Sequence, residues 1–311
     1  MANRSQWAEA LAVGIHEWIA DSFTSIEPTY PKIFNVMSSD KAYEEDITST
    51  GISKLVEGQE GGPTQYEDPL FGFKTRYTHK VFKKGMKVTK ELNDDEQYRL
   101  FKDNSTKLGK AAARTIDSNA FSIFRNGFNT SYTSYGDNKP LFSTSHTRAD
   151  GGTAQSNASS TGITLTEANL NTGLLALRNQ TDDRGELISM ADGKVVLVVP
   201  LALEKTAVEI TGSTLKQGTA NNDLNYYEGR IDVMATRWIG ATAGGSDTAW
   251  FLIVPEAHRL NVFKREEFNT SDEYDFDTDI LKVKARMRFS YGWSDWRGTW
   301  GSKGDGQAYS S

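Results

Sequence analysis

Between Asn93 and Gly127 the chain reads NDDEQYRLFKDNSTKLGKAAARTIDSNAFSIFRNG, with no proline to interrupt it. Phe101, Leu108, Ala112, Ile116, Ala120 and Ile123 recur at helical steps and form one apolar stripe. Asn93 is placed to cap the first turn, with Glu96 three residues on to close a capping box. Asp94 and Asp95 favour the positive end of the helix dipole, and Gly127 offers a stop. A helix of this length spans roughly 50 Å at 1.5 Å per residue, so it must lie across a whole domain. Its other face carries Arg99, Lys102, Lys107, Lys110 and Arg114, which meets solvent or a neighbouring chain.

The rest of the sequence has to supply what such a helix packs on. With 311 residues there is material for one large or two modest domains. There is no cysteine, which removes disulfides and thiolate metal sites and fits a reducing compartment. The start, MANRSQWAEALAVGIHEWIA, has polar and acidic residues among its apolar ones, unlike a signal peptide. No run is apolar for long enough to cross a membrane. A net charge of −6 argues against a protein built mainly to grip nucleic acid.

Residues 3–24 read as an amphipathic helix with Trp7, Leu11, Ile15 and Trp18 on one face. That stripe needs a surface to dock on, either the long helix or another chain. Pro28 and Pro31 end it, and an extended arm follows to about Asp46. Residues 47–90 read as one long two-stranded excursion. Its tip, EGQEGGPTQYEDP, has turn chemistry. Its returning strand alternates Phe71, Phe73, Thr75, Tyr77, His79 and Val81 against Lys74, Arg76 and Lys80.

Beyond the long helix, residues 128–164 are rich in loop formers. A helix is expected from about Thr166 to Asp182, capped by Thr164 with Glu167. VVLVVP (195–200) reads as a buried central strand, and Pro200 as the first residue of a helix ending at Gly212. IDVMATRWIG (231–240) and AWFLIVP (249–255) are further strands. The stretch 266–279 holds seven acids and no base. From Ile280 to Trp293, Leu281, Val283, Ala285, Met287, Phe289 and Tyr291 alternate with cations, as in a half-buried strand. The tail, DWRGTWGSKGDGQAYSS, is polar apart from two tryptophans.

Catalytic signatures are missing. There is no phosphate-cradling glycine loop and no G-x-S-x-G elbow. His16-Glu17 opens like a zinc-protease motif, but Ala20 stands where the second histidine belongs. Asp275, Asp277 and Asp279 start like a calcium loop, yet Ile280 and Arg286 occupy its glycine and glutamate positions. Ser145 and His146 are neighbours in sequence, which does not orient an imidazole onto a hydroxyl. No catalytic, cofactor or metal residues are assigned; an enzyme using Ser145 and His146 is a separate reading that the structure must test.

The order of parts and four local stretches carry a resemblance. The stretches are KPLFSTSHT (139–147), VVLVVPLALEKTAVEI (195–210), AWFLIVP (249–255) and YGWSDWRGTWGSKG (291–304). The chain resembles the bacteriophage major capsid proteins of the Hong Kong 97 fold, and among them the Mu-like major head subunits. The resemblance implies an α+β capsid fold. Residues 1–46 would be an N-terminal arm, 47–90 an extended loop lying on a neighbour, and 91–127 the spine helix of a peripheral domain. Residues 128–255 would be mainly an α/β axial domain, and 256–311 the return to the peripheral domain with the tail.

The implied function is a structural subunit that self-assembles into an icosahedral phage head around double-stranded DNA. The implied partners are further copies in pentamers and hexamers, a portal, a decoration protein, and packaged DNA held only by weak, non-specific contact. No coiled-coil extension precedes the arm, so the resemblance implies a separate scaffolding protein. The implied place is the virion, assembled in the host bacterial cytoplasm. The alternative is the shell of a bacterial encapsulin-like nanocompartment. Charge segregation suggests how copies meet: Lys74, Arg76, Lys80, Lys83, Lys84 and Lys87 have no acid among them, whereas Glu266, Glu267 and Asp272 sit in the acidic run. Together with Trp7, Leu11, Ile15 and Trp18, these are the candidate inter-subunit contacts.

Overall fold

A computed structural model describes the chain except residues 1–3, 50–51, 59, 65, 69–70, 92–97, 135, 189–193, 215–223 and 276; the side chains of residues 4–10 and of Tyr98 are also outside the description. The capping residues expected at Asn93–Glu96 therefore lie outside the described residues. The chain forms two compact units, one from residues 1–44, 77–120 and 262–291, the other from 45–76, 121–261 and 292–311.

The first unit holds α1 (Arg4–Thr24), α2 (Tyr98–Ala120) and a four-stranded sheet in the order β1-β8-β9-β4. These strands are β1 (Asn35–Ser38), β4 (Lys80–Thr89), β8 (Leu260–Asp275) and β9 (Ile280–Trp293). The apolar stripe of α1, Leu11, Ala12, Ile15 and Ile19, meets Phe101 and Leu108 of α2 and Val88, Leu281, Val283 and Ala285 of the sheet. Burying each large side chain there contributes about 1.5–3 kcal/mol. Gly109 marks the close approach of α1 and α2, since a β-carbon at that position would stand 2.3 Å from the carbonyl oxygen of Ile19. Asp117, buried near the end of α2, accepts from the backbone N–H groups of Tyr30 (2.9 Å) and Thr29 (3.0 Å) and so ties the arm down.

α2 stops earlier than the apolar pattern suggests. The backbone turns at Phe121, and a short helix α3 (Ser122–Arg125) follows. Phe121, Ile123 and Phe124 are all buried. Phe124 lies 5.3 Å from Phe251 and 6.3 Å from Phe142 between ring centroids. Three buried apolar side chains in four positions point to more than one side of a straight helix, and after the turn at Phe121 the Phe124 ring reaches Phe142 and Phe251.

The second unit is organised on a four-stranded sheet in the order β10-β7-β5-β6, in which β10 is Thr299–Ser302. β5 (Val195–Pro200) runs parallel to β6 (Ile231–Thr236) and antiparallel to β7 (Trp250–Ile253). A parallel pair needs a crossover, and α5 (Glu204–Thr211) lies within it. Pro200 ends the strand, and a 3-10 turn at Leu201–Leu203 precedes α5, so this proline does not open the helix directly. α4 (Glu167–Arg178) is capped by Thr166, whose hydroxyl accepts from Asn169 N–H at 3.2 Å; Thr164 is not the cap. Leu170, Leu174 and Leu177 of α4 pack on Leu197, Trp250 and Leu252.

The tail is more than a polar end. Trp296 and Trp300 are buried, and Thr299–Ser302 form β10, paired with β7. Gly301 makes this possible, because a β-carbon there would meet the rings of Phe142 and Phe251 at 2.9 and 3.0 Å.

The stretch 47–90 is not one hairpin. β2 (Tyr43–Ser49) pairs with β3 (Phe71–Thr78) as a two-stranded sheet, and after His79 the chain enters β4, an edge strand of the other sheet. The acidic run is also a strand for most of its length. β8 extends to Asp275 because its carboxylates meet cations of β9: Glu266 with Arg286 at 3.0 Å and Asp275 with Lys282 at 2.8 Å.

Candidate assembly surfaces

Residue by residue, the proposed contacts separate into used and unused groups. Leu11 and Ile15 are 4% and 0% exposed and spend their apolar surface on α2 and the sheet. Trp18 is half-buried on the same core, with Lys102 Nζ 6.0 Å from its ring centroid. The side chain of Trp7 lies outside the described residues. The surface that Leu11 and Ile15 could offer a neighbour is thus consumed within the chain.

Lys74 and Arg76 both bind Glu45, at 2.6 and 2.8 Å. The hydrogen bond from Lys74, with help from Arg76, holds the Glu45 carboxyl below the usual carboxylate range. Among the acids, Glu266 holds Arg286, Glu267 holds Lys264 at 3.1 Å, and Asp272 holds His16 at 2.8 Å. The three acids suggested as partners for a neighbour's lysines therefore already have side-chain partners in their own unit, Arg286, Lys264 and His16.

The unused charge is on β4. Lys80 has Tyr291 as a ring neighbour at 5.8 Å. Lys83, Lys84 and Lys87 are exposed, and no ion pair involves them among the described residues. The β4–β9 register sets Lys83 opposite Arg286 and Lys87 opposite Lys282. Directly opposed like charges destabilise a strand pair; Arg286 and Lys282 have Glu266 and Asp275, so Lys83, Lys84 and Lys87 are the charges on this edge that an added anionic partner would meet.

Beside the lysines is an apolar groove of about 330 Å³ between α2 and the sheet, lined by Phe82, Leu108, Ala112 and Met287 with Lys83 and Lys84 on its border. In the second unit, residues 52–68 expose apolar side chains, most of them just before the EGQEGGPTQYEDP stretch read as turn chemistry. Leu55 is 99% exposed, Tyr66 93%, Ile52 69% and Val56 66%. Glu57 and Glu60 are close to them in sequence. An isolated exposed leucine is ordinary, but several along one segment mark an interaction surface.

Two buried histidines are structural. His79 lies between Ser39 (Nε2 to Oγ, 3.1 Å) and Ser290 (Nδ1 to Oγ, 3.0 Å), while Ser39 donates to Glu44 at 2.8 Å. With the Ser39 proton committed to Glu44, the imidazole donates from Nε2 and accepts from Ser290 at Nδ1. Burial, with the positive charge of Arg288, pushes the His79 pKa down.

His146 sits 2.6 Å from Asp137 through Nδ1 and 3.1 Å from the Asn157 side-chain oxygen through Nε2, and its ring stacks on Trp296. The Asn157 amide nitrogen donates to Leu141 O at 2.8 Å, which fixes the orientation of that side chain. Both ring nitrogens are engaged and neither faces the Ser145 hydroxyl, so this pair lacks the geometry of an activated nucleophile. Among the described residues no cluster of three metal-ligating side chains occurs, and no helix is long and apolar enough to cross a membrane.

The sequence profile of a family described as phage capsid protein matches residues 72–301. No curated protein matches the sequence. Among solved structures, the capsid of bacteriophage JBD30 superposes with a TM-score of 0.56 at 17% identity, covering 69% of this chain and 92% of its own. The mature capsid of bacteriophage PhiM1 gives 0.58 at 11% identity, covering 89% and 87%. The capsid of a native GTA particle gives 0.56 at 12% identity, covering 92% of each. At such identities the superpositions speak for the mixed helix-and-sheet fold, and the profile match speaks for descent. The chain belongs to the phage capsid protein family and is a structural protein of the major capsid shell.

Proposed function

We propose that the chain is a major head subunit of the Hong Kong 97 type, in the Mu-like group. Copies assemble as pentamers and hexamers into an icosahedral shell around double-stranded DNA in the bacterial cytoplasm. Residues 1–46 are then the arm, 47–90 the extended loop and 91–127 the spine region. Residues 128–255 are mainly the axial domain, and 256–311 return to the peripheral domain and tail. A separate scaffolding protein, a portal and a decoration protein complete the head. The observation that carries this reading is the segment 52–68, whose apolar side chains have no cover within the described chain. A groove of matching character, bordered by unpaired lysines, belongs to the first unit. Glu57 and Glu60 complement those lysines, which steers encounter and fixes register more than it adds affinity. One copy's segment on the next copy's groove would repeat around a ring and leave neither surface exposed.

Because the chain contains no cysteine, the contact is testable with a single engineered pair. In assembled particles of Leu55→Cys/Ala111→Cys, oxidation should give a ladder of covalent multimers that neither single variant gives. Particles that form normally yet yield only monomer would remove this contact and leave the shell intact. Nucleic acid inside the particles distinguishes a phage head from a compartment that stores protein cargo.

A further inference from the structure

The exposed side of α2 carries a line of charge that the fold does not use. Arg99, Lys102, Lys107 and Arg114 are exposed and Lys110 is half-buried. At 100° per residue, Arg99, Lys107, Lys110 and Arg114 fall within about 80° of the helix circumference, with Lys102 about 60° to the other side. From Arg99 to Arg114 the line runs about 22 Å. No ion pair involves any of these five among the described residues, and Lys102 has only the Trp18 ring as a neighbour at 6.0 Å. Two acids fall on that arc: Asp117, buried and bound to the N–H groups of Thr29 and Tyr30, and exposed Asp103, which is not within ion-pair distance of Arg99 or Lys107. Lys107 with Lys110, and Lys110 with Arg114, are like charges at helical contact spacing, which destabilises a helix on its own.

We propose that this face of α2 binds the phosphate backbone of duplex DNA, without reading its sequence. The inference rests on the reading that the shell encloses DNA and adds where the contact is made. The arc presents Thr106 and Ala113 between its cations, with no aromatic or large apolar anchor among them; the exposed Leu100 stands about 20° outside its edge. Protein interfaces are built around such anchors and are depleted in lysine. Phosphate contacts need only cations at intervals along a rod, because duplex DNA carries one charge per about 1.7 Å of axis. A second copy of this chain is the weaker occupant, because Glu266, Glu267 and Asp275 already hold cations within their own unit and Asp272 is bonded to His16. The net charge of −6 opposes DNA elsewhere on the molecule, so the contact is local and fades at high salt.

The test is fluorescence anisotropy of the purified full chain with a random-sequence 20-base-pair duplex, across about 25–150 mM salt. If all five cations contact phosphates, the log–log salt slope is about −4.5, and in Lys107→Gln/Lys110→Gln/Arg114→Gln it falls to about −1.8. Lys107→Arg/Lys110→Arg keeps the original slope. Lys107→Gln alone, which guards against a triple variant that does not fold, lowers the slope by about 0.9. The triple variant still forms shells of normal size. Absence of duplex binding at the lowest salt, or an unchanged slope in the glutamine variants, would overturn the assignment. Loss of shell formation with duplex binding intact would assign the face to a neighbouring subunit instead. Shell formation by the unaltered chain is scored separately, so failure of the DNA contact is distinguishable from failure of the shell reading.

Discussion

Gly109→Ala is the sharpest perturbation of the helix pair at the base of the first unit. Helix propensity alone predicts that alanine stabilises α2 by about 1 kcal/mol. The packing predicts the opposite sign. A β-carbon at residue 109 would stand 2.0 Å from Ser22 Oγ and 2.3 Å from Ile19 O, with Phe23 N at 3.0 Å. The serine hydroxyl can rotate, but the carbonyl and the amide belong to the α1 backbone, so the helices must separate. Separation loosens Leu11, Ile15 and Ile19 against Phe101 and Leu108. Overpacking of this kind costs about 1–3 kcal/mol, which exceeds or cancels the propensity gain and leaves a net loss of up to about 2 kcal/mol. Hydrogen exchange is the suitable assay, because five of the seven tryptophans lie in the other unit and would dominate fluorescence. Amides of α1 should exchange faster in the variant while those of β5 and β7 stay unchanged. A variant whose α1 amides exchange more slowly than in the original chain would refute the close-approach argument.

Other expectations follow from the same contacts. Asp117→Ala leaves the N–H groups of Thr29 and Tyr30 without their acceptor, a loss of about 1–3 kcal/mol that urea denaturation should register, with exchange accelerating over residues 28–34. Ile15→Ala should destabilise the first unit by about 2–5 kcal/mol, measurable as a lowered unfolding midpoint in the unassembled chain; an effect seen only on assembly would contradict its buried placement. His79 has a pKa below its unfolded value of about 6.5, so the unfolded state takes up its proton first. Stability from this group is full above about pH 6.5 and falls as pH drops through that value. His79→Gln should flatten the stability loss between about pH 7 and pH 5, and an unchanged pH profile would discount the burial of a neutral imidazole here. Lys83→Glu/Lys84→Glu/Lys87→Glu should fold yet fail to assemble, as read by sedimentation; normal particles would reduce these lysines to solvation of an edge strand.

Much of the architecture was legible where one side-chain period ruled a stretch. Leu281, Val283, Ala285, Met287 and Phe289 alternate and are buried on β9, and the β-branched run at 195–200 lies between two strands. Phe101, Leu108, Ala112 and Ile116 face inward as their spacing implied. Reading failed where distant residues decide the local state. The turn at Phe121 depends on the rings of Phe142 and Phe251, more than 20 and 100 residues away in sequence. The strand character of the acidic run depends on Arg286 and Lys282 of the partner strand. Polar composition was likewise no guide to the tail, where Trp296, Trp300 and closely packed glycines build a sheet edge.

The surfaces divided in the same way. The excess of lysine on β4 is visible in the letters, because no acid stands between Pro69 and Glu91. The prior claims on Glu266, Glu267 and Asp272 are not, and Asp272 shows why: its partner His16 is 256 positions away. The exposed Leu55 and Tyr66 were hidden by the glycines and acids around them, since exposure belongs to the fold and not to the residue type.

The central claim, that this chain builds a shell, is tested most directly by electron microscopy of the protein purified after expression on its own. The account predicts closed isometric shells, or curved sheets of hexagonally packed capsomers where a scaffolding protein is needed for closure. A monodisperse subunit that forms no lattice at any concentration, with or without crowding agent, would contradict it.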